Sequence, residues 1–183
     1  MGNLGYLCRR IGLTIRTSTK FRSGGDHMMN DSQSINDILI SFFQSAMTEK
    51  NITYRVLAQK MKCSEKTVFT YFNDKQTKRN IPYSVAVVIY FVLIQNKEFT
   101  NAEERENLEN EINHSFYSAF RKAFDLAGKN YLKLEAEYGI SHSTSYCYYT
   151  KKKAPLLNSA YKVSQLLNFE LPYISDIINQ QIK

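Results

Sequence analysis

The chain has 183 residues, 43% of them apolar; that is enough to bury the core of one ordinary domain or two small ones and excludes a chain disordered throughout. Seven Gly and three Pro are too few for an all-β protein full of tight turns. The net charge of +7 points toward nucleic acid or an anionic surface as partner.

The charge is unevenly placed. Residues 1–27 carry Arg9, Arg10, Arg16, Lys20 and Arg22 against Asp26 alone, and show no helical or strand period. Residues 28–100 hold nine basic and six acidic side chains, whereas residues 101–183 hold ten of each. Residues 1–33 are expected to be a disordered tail. "SGGDHMM" (Ser23 to Met29) is also a peptide whose codons can contain a bacterial ribosome-binding sequence, so translation is expected to start at Met28 or Met29. Cys8, Cys63 and Cys147 form no CxxC pair, which suits a reducing cytosol and supplies no metal site. Cys63 and Cys147 read as small buried hydrophobes. His27, His114 and His142 are scattered, and His114 and His142 read as surface or capping residues.

From residue 34 onward the punctuation is helical. Ser34 with Asp37, Ser64, and Thr100 with Glu103 are predicted N-caps. Gly128 and Gly139 are predicted helix stops, and Pro82, Pro155 and Pro172 suit first turns. Ile35, Ile38, Leu39, Phe42, Phe43 and Ala46 follow a period near 3.6, one helix face. "VAVVIYFVLI" (Val85 to Ile94) is about half a membrane span and reads as a buried helix. No segment sustains strand alternation, so the expected fold class is all-α.

The chain also matches itself. At an offset of 77, Phe43 falls on Phe120, Ala46 on Ala123, Tyr54 on Tyr131, Leu57 on Leu134, Ser64 on Ser141, Thr67 on Thr144 and Tyr71 on Tyr148. Removing four residues then brings Pro82 onto Pro155 and Leu93 onto Leu166. A two-copy repeat predicts two tandem five-helix domains, 34–112 and 113–183. The first has helices over 34–50, 54–61, 64–73, 83–96 and 101–112. The second has them over 114–127, 131–138, 142–150, 156–167 and 172–181.

Within each domain the second and third helices are short and joined by a tight turn. "NITYRVLAQKM" followed by "CSEKTVFTYF" resembles the helix-turn-helix of the lambda-repressor and Cro-like family. Leu57 and Ala58 supply the apolar-small pair where the helices cross, Met61 and Cys63 flank the turn, Ser64 caps the next helix, and Val68 and Tyr71 face inward. Lys62 stands where the family has a turn glycine. The second copy has its glycine at Gly139, but Glu135 replaces the small residue and Ser145 replaces Val68. The segment "TVFTYFNDK" is also similar to the recognition helix of the tetracycline-repressor-like family, whose large ligand domain the repeat leaves no room for.

The resemblance implies that the second short helix enters the major groove. Its outward residues in the first copy are Glu65, Lys66, Thr67, Phe69, Thr70 and Asn73. Of these, Lys66, Thr67, Thr70 and Asn73 are the expected base readers. Ser64, Lys75, Lys78 and Arg79 are the expected backbone contacts. In the second copy the DNA candidates are His142, Ser143, Thr144 and Tyr146, with Tyr149 beside them, followed by Lys151, Lys152 and Lys153.

The expected function is a sequence-specific DNA-binding transcriptional regulator, a repressor of bacterial or phage origin, cytoplasmic, with double-stranded DNA as partner and neither cofactor nor membrane association. It would act as a homodimer or as a monomeric pseudo-dimer, with the second domain binding DNA or serving dimerisation. The alternative is a protein-interaction module, such as an antitoxin or inhibitor on the same scaffold. No phosphate-binding glycine loop, paired metal-ligand motif or nucleophile–base set is present in the sequence, so no catalysis is expected. Glu103, Glu104 and Glu106 sit in a charged helix and read as a solvated face.

Overall fold

The computed structural model describes residues 34–73, 80–128, 130–175 and 177–178. The tail 1–33 and its start site lie outside the described residues. All eight elements named are α-helices: α1 (Ile35–Glu49), α2 (Tyr54–Met61), α3 (Glu65–Asn73), α4 (Tyr83–Leu93), α5 (Ala102–Leu126), α6 (Tyr131–Tyr138), α7 (His142–Tyr149) and α8 (Leu157–Leu166). Among the described residues there is no strand beyond one isolated bridge, and no helix is long and apolar enough to cross a membrane.

The caps follow the sequence closely. Ser34 Oγ accepts from Asp37 N at 3.2 Å, Thr53 Oγ1 from Val56 N at 3.3 Å and Ser64 Oγ from Thr67 N at 3.0 Å. Each satisfies one of the donors that a helix start leaves without an intrahelical partner. The cap of α5 is one residue later than expected. Asn101 Oδ1 accepts from Glu104 N at 2.8 Å, while the Thr100 N–H and hydroxyl both donate to the Glu104 carboxylate. These bonds, with Lys97, hold the Glu104 carboxyl below its ordinary pKa.

The larger departure is α5 itself. The helices expected over 101–112 and 114–127 are one helix of 25 residues. Nothing at Asn113 or His114 interrupts it, since neither residue breaks a helix as Pro or Gly would. Its first half is polar and carries an Arg105–Glu109 pair at 2.7 Å, a partly buried i,i+4 pair whose spacing supports the helix. Its second half turns Ile112, Phe116, Phe120 and Phe124 inward. The last predicted helix, 172–181, is seen only in part: residues 172–174 form a turn, and 175, 177 and 178 are helical.

The repeat is visible in the element bounds. Helices α2 and α6 start 77 residues apart, as do α3 and α7, and α1 and α5 end at the same offset. Lys62 (φ 53°) and Gly139 (φ 62°) are left-handed C-caps at matching positions. After the loop the helix starts are 74 apart, while the helix ends Leu93 and Leu166 keep the expected 73. Helices α4 and α8 begin at Tyr83 and Leu157, with Pro82 and Leu156 as N-caps. The two prolines therefore are not equivalent, and neither occupies the first turn. Pro82 is an N-cap, and Pro155 precedes one.

The two halves are clasped at this point. Pro82 and Leu156 form an antiparallel bridge, in which Tyr83 N donates to Pro155 O and Leu157 N to Ile81 O, both at 2.9 Å. Neither N-cap has a side-chain acceptor to offer, so the bridge supplies partners for the first amides of α4 and α8. Asn36 ties α1 to the same point: its Oδ1 accepts from Ile81 N, and its own N–H donates to Asn158 Oδ1, each at 2.9 Å. Asn158 Nδ2 in turn donates to Asn80 Oδ1.

The core runs continuously through both halves. Helix α4 lies at its centre and is buried nearly all round, from Tyr83 to Tyr90 and again at Val92 and Leu93. Burying each such aliphatic side chain contributes about 1.5–3 kcal/mol. Helix α1 packs on α8 as well as α4, and α5 packs on α4. The initial helix of each half thus rests on the closing helix of the other. Phe116 joins the halves at the aromatic level, with its ring 5.7 Å from Tyr83, 5.4 Å from Tyr148 and 6.0 Å from Phe169.

Candidate nucleic-acid interface

Helices α2 and α3 pack directly on each other. Leu57, Ala58, Met61 and Val68 are buried in the core. Lys62 reverses the chain in the left-handed region, and Cys63 N donates back to Ala58 O at 3.0 Å. Cys63 and Tyr71 are half-buried against the core, and burial pushes the Cys63 thiol pKa up. That makes Cys63 a poor nucleophile, in line with a packing role.

This packing leaves one face of α3 toward solvent. Glu65 and Lys66 are exposed, and Thr67 and Thr70 are half-exposed. Their hydroxyls already have local partners: Thr67 Oγ1 lies 2.7 Å from Ser64 Oγ, and Thr70 Oγ1 donates to Lys66 O at 2.8 Å. Phe69 is 54% exposed, touched edge-on by Tyr54 at 6.1 Å between ring centroids. Asn73 is half-buried, and its Nδ2 is buried with no hydrogen-bond partner. Lys75, Lys78 and Arg79 lie outside the described residues.

Helices α6 and α7 repeat the arrangement with different chemistry. Ser141 Oγ accepts from Thr144 N at 3.3 Å. Glu135 is exposed where Ala58 is buried, so the second pair does not cross on that residue. Ser145 takes the place of Val68 and is 0% exposed, with its Oγ unpaired. On the outer face His142 and Ser143 are exposed, Thr144 is half-exposed and Tyr146 is 43% exposed. The His142 ring stacks on Tyr146, with 6.4 Å between centroids and an interplanar angle of 6°. Lys152 Nζ lies 5.2 Å from the centroid of the Tyr146 ring, a cation–π distance.

The lysine loop has a defined backbone. Lys151 adopts φ 59°, its N–H donates to Tyr148 O at 3.3 Å, and Lys152 N donates to Cys147 O at 2.9 Å. This is the paired bonding of a Schellman ending. Lys151 Nζ lies 3.2 Å from His114 Nδ1. Lys153 is exposed, while its carbonyl accepts from Tyr117 OH at 3.0 Å. Sequence reasoning passed over Arg121, whose Nε donates to Tyr149 O at 2.6 Å and whose guanidinium lies 5.3 Å from the Tyr149 ring. A cation at the carboxyl end of α7 complements its dipole. Half-buried Tyr149 belongs to that contact more than to the outer face.

The two outer faces also match each other at one position. Phe69 and Tyr146 are 77 residues apart, so each short second helix presents one exposed ring at the same position. The repeat alone was sufficient to pair them. Among the described residues, no group of three His, Cys, Asp or Glu side chains could hold a metal ion. Comparison with protein-family models, with characterised proteins and with solved structures finds no match for the chain.

Proposed function

We propose that the chain is a sequence-specific regulator of transcription that binds double-stranded DNA, with α3 as its principal base-reading helix. The observation that carries this reading is the α2–α3 pair. Its inner face is consumed by Leu57, Ala58, Met61 and Val68, its turn is tight, and its outer face leaves Lys66 and Phe69 exposed and Thr67 and Thr70 half-exposed among the described residues. A short helix of this kind fits the major groove. Lys66 suits guanine O6 and N7, the threonines suit base edges or a thymine methyl, and Phe69 offers a further apolar contact to that methyl. Asn73 has a lesser role in this reading, because its amide nitrogen is buried. Lys75, Lys78 and Arg79 grip the backbone, and Ser64 supports the start of α3.

The likeness of the α2–α3 sequence to the lambda-repressor and Cro-like helix-turn-helix adds to the reading. It favours repression by occlusion of polymerase, in a bacterial or phage cytoplasm. The test is a titration of a labelled mixed-sequence duplex against the purified chain at increasing salt, for wild type and Lys66→Ala. Binding should weaken steeply, about 10³-fold or more between about 50 and 200 mM salt if six or more phosphates are neutralised. Lys66→Ala should cost about 1–3 kcal/mol on a preferred sequence.

One observation favours a second reading. Phe69 and Tyr146 are large rings left open on both candidate faces, and aromatic side chains are enriched where proteins meet proteins. A protein-binding module, such as an antitoxin or inhibitor, would show weak DNA binding that is insensitive to salt.

A further inference from the structure

The clasp between the halves has a symmetry that bears on what is bound. Exchange residues 81–83 with 155–157, and the Pro82–Leu156 bridge maps onto itself: the bond from Tyr83 N to Pro155 O becomes the bond from Leu157 N to Ile81 O. The same exchange takes α4 into α8, and the contact of α1 with α8 into the contact of α5 with α4. An antiparallel bridge between equivalent segments is what a two-fold rotation produces. A simple translation along the chain cannot produce it. This two-fold is seen at the clasp; the inverted orientation of the two short-helix pairs is the inference drawn from it.

Resting on the DNA-binding reading above, we propose that one copy of this chain recognises two unlike half-sites in inverted orientation, one through α3 and one through α7. Duplex DNA has its own dyads perpendicular to its axis, so a body with a two-fold meets the same groove geometry in inverted order at each half-site. The half-sites differ because the faces differ. Lys66 in α3 corresponds to Ser143 in α7, Glu65 to His142, Phe69 to Tyr146, and Thr70 to Cys147. The first face is basic with a phenyl ring; the second is a stacked imidazole and phenol under Lys152. One chain suffices because the clasp already joins the halves and the initial helix of each is buried on the other.

The experiment uses the full chain. Wild type, Lys66→Ala and Tyr146→Ala are each put through selection on a random duplex library, and the mass of each complex is measured on its selected duplex. Both substituted side chains are exposed, and unchanged thermal midpoints would show that both variants fold. The expected result is a non-palindromic site with two inverted, unlike halves and one chain per duplex. Lys66→Ala should lose base preference in one half only, and Tyr146→Ala in the other only. A palindrome carrying two chains, a direct repeat, or a site that Tyr146→Ala leaves unchanged would overturn the proposal while leaving DNA binding intact. If wild type enriches no sequence at all, the DNA reading falls and this inference falls with it.

Discussion

Asn36 is the most exacting place to test the clasp. It is 5% exposed, and its Oδ1 is the acceptor for Ile81 N–H at 2.9 Å in the interior. Asn36→Ala removes that acceptor and leaves a buried amide without a partner, which costs about 1–3 kcal/mol. The Asn36 backbone bond to Asn158 Oδ1 survives the change, so the effect isolates one hydrogen bond and a small loss of packing. Repeat equivalence supplies an internal control. Asn36 corresponds to Asn113 at an offset of 77, and Ile81 to Pro155 at an offset of 74. Pro155 has no N–H to give, and Asn113 Oδ1 is indeed buried with no hydrogen-bond partner. Asn113→Ala therefore has no such bond to lose and should cost clearly less. Urea unfolding followed by circular dichroism reads both. With a slope of about 2 kcal/mol per molar urea, Asn36→Ala should lower the midpoint by about 0.5–1.5 M at unchanged slope. Asn36→Ala matching wild type, or Asn113→Ala costing more than Asn36→Ala, would refute the reasoning.

Three further outcomes follow from the same geometry. Ser145→Ala should stabilise the fold by about 1 kcal/mol, because it removes a buried hydroxyl that has no partner; a drop in thermal midpoint would mean that the hydroxyl is satisfied after all. Ser64→Ala should cost about 1 kcal/mol through loss of the α3 cap, measurable by the same urea titration. Lys62→Gly should raise the midpoint, since a left-handed lysine at φ 53° carries about 1 kcal/mol of backbone strain that glycine does not; no gain would show that the Lys62 side chain contributes as much as the strain costs.

Much of the helical layout was legible in the sequence because its signals are local. Ser34, Ser64 and Ser141 announce helix starts by their own chemistry, and Phe43 with Phe120 or Leu57 with Leu134 mark equivalent core positions. The break expected near residue 113 does not exist, since a repeat boundary need not be a helix boundary and neither Asn113 nor His114 stops a helix. Leu93 and Leu166 end their helices as paired, but Pro82 and Pro155 are not equivalent, because the N-termini of α4 and α8 are fixed by backbone pairing that has no side-chain signature. The same blindness hid the clasp. On the candidate interface, Lys66 and Tyr146 are as exposed as their spacing suggested. Asn73 is not, because the last turn of α3 rotates its amide nitrogen inward, a packing detail beyond helical periodicity. Arg121 was missed because its partner, the carbonyl of Tyr149, belongs to a helix that follows 28 residues later.

The central claim is that this chain reads DNA sequence, and selection of a random duplex library with the purified protein tests it most directly. The account predicts enrichment of a defined motif, bound with an affinity that falls steeply as salt rises. Recovery of an unenriched library, with weak binding that salt does not change, would contradict it.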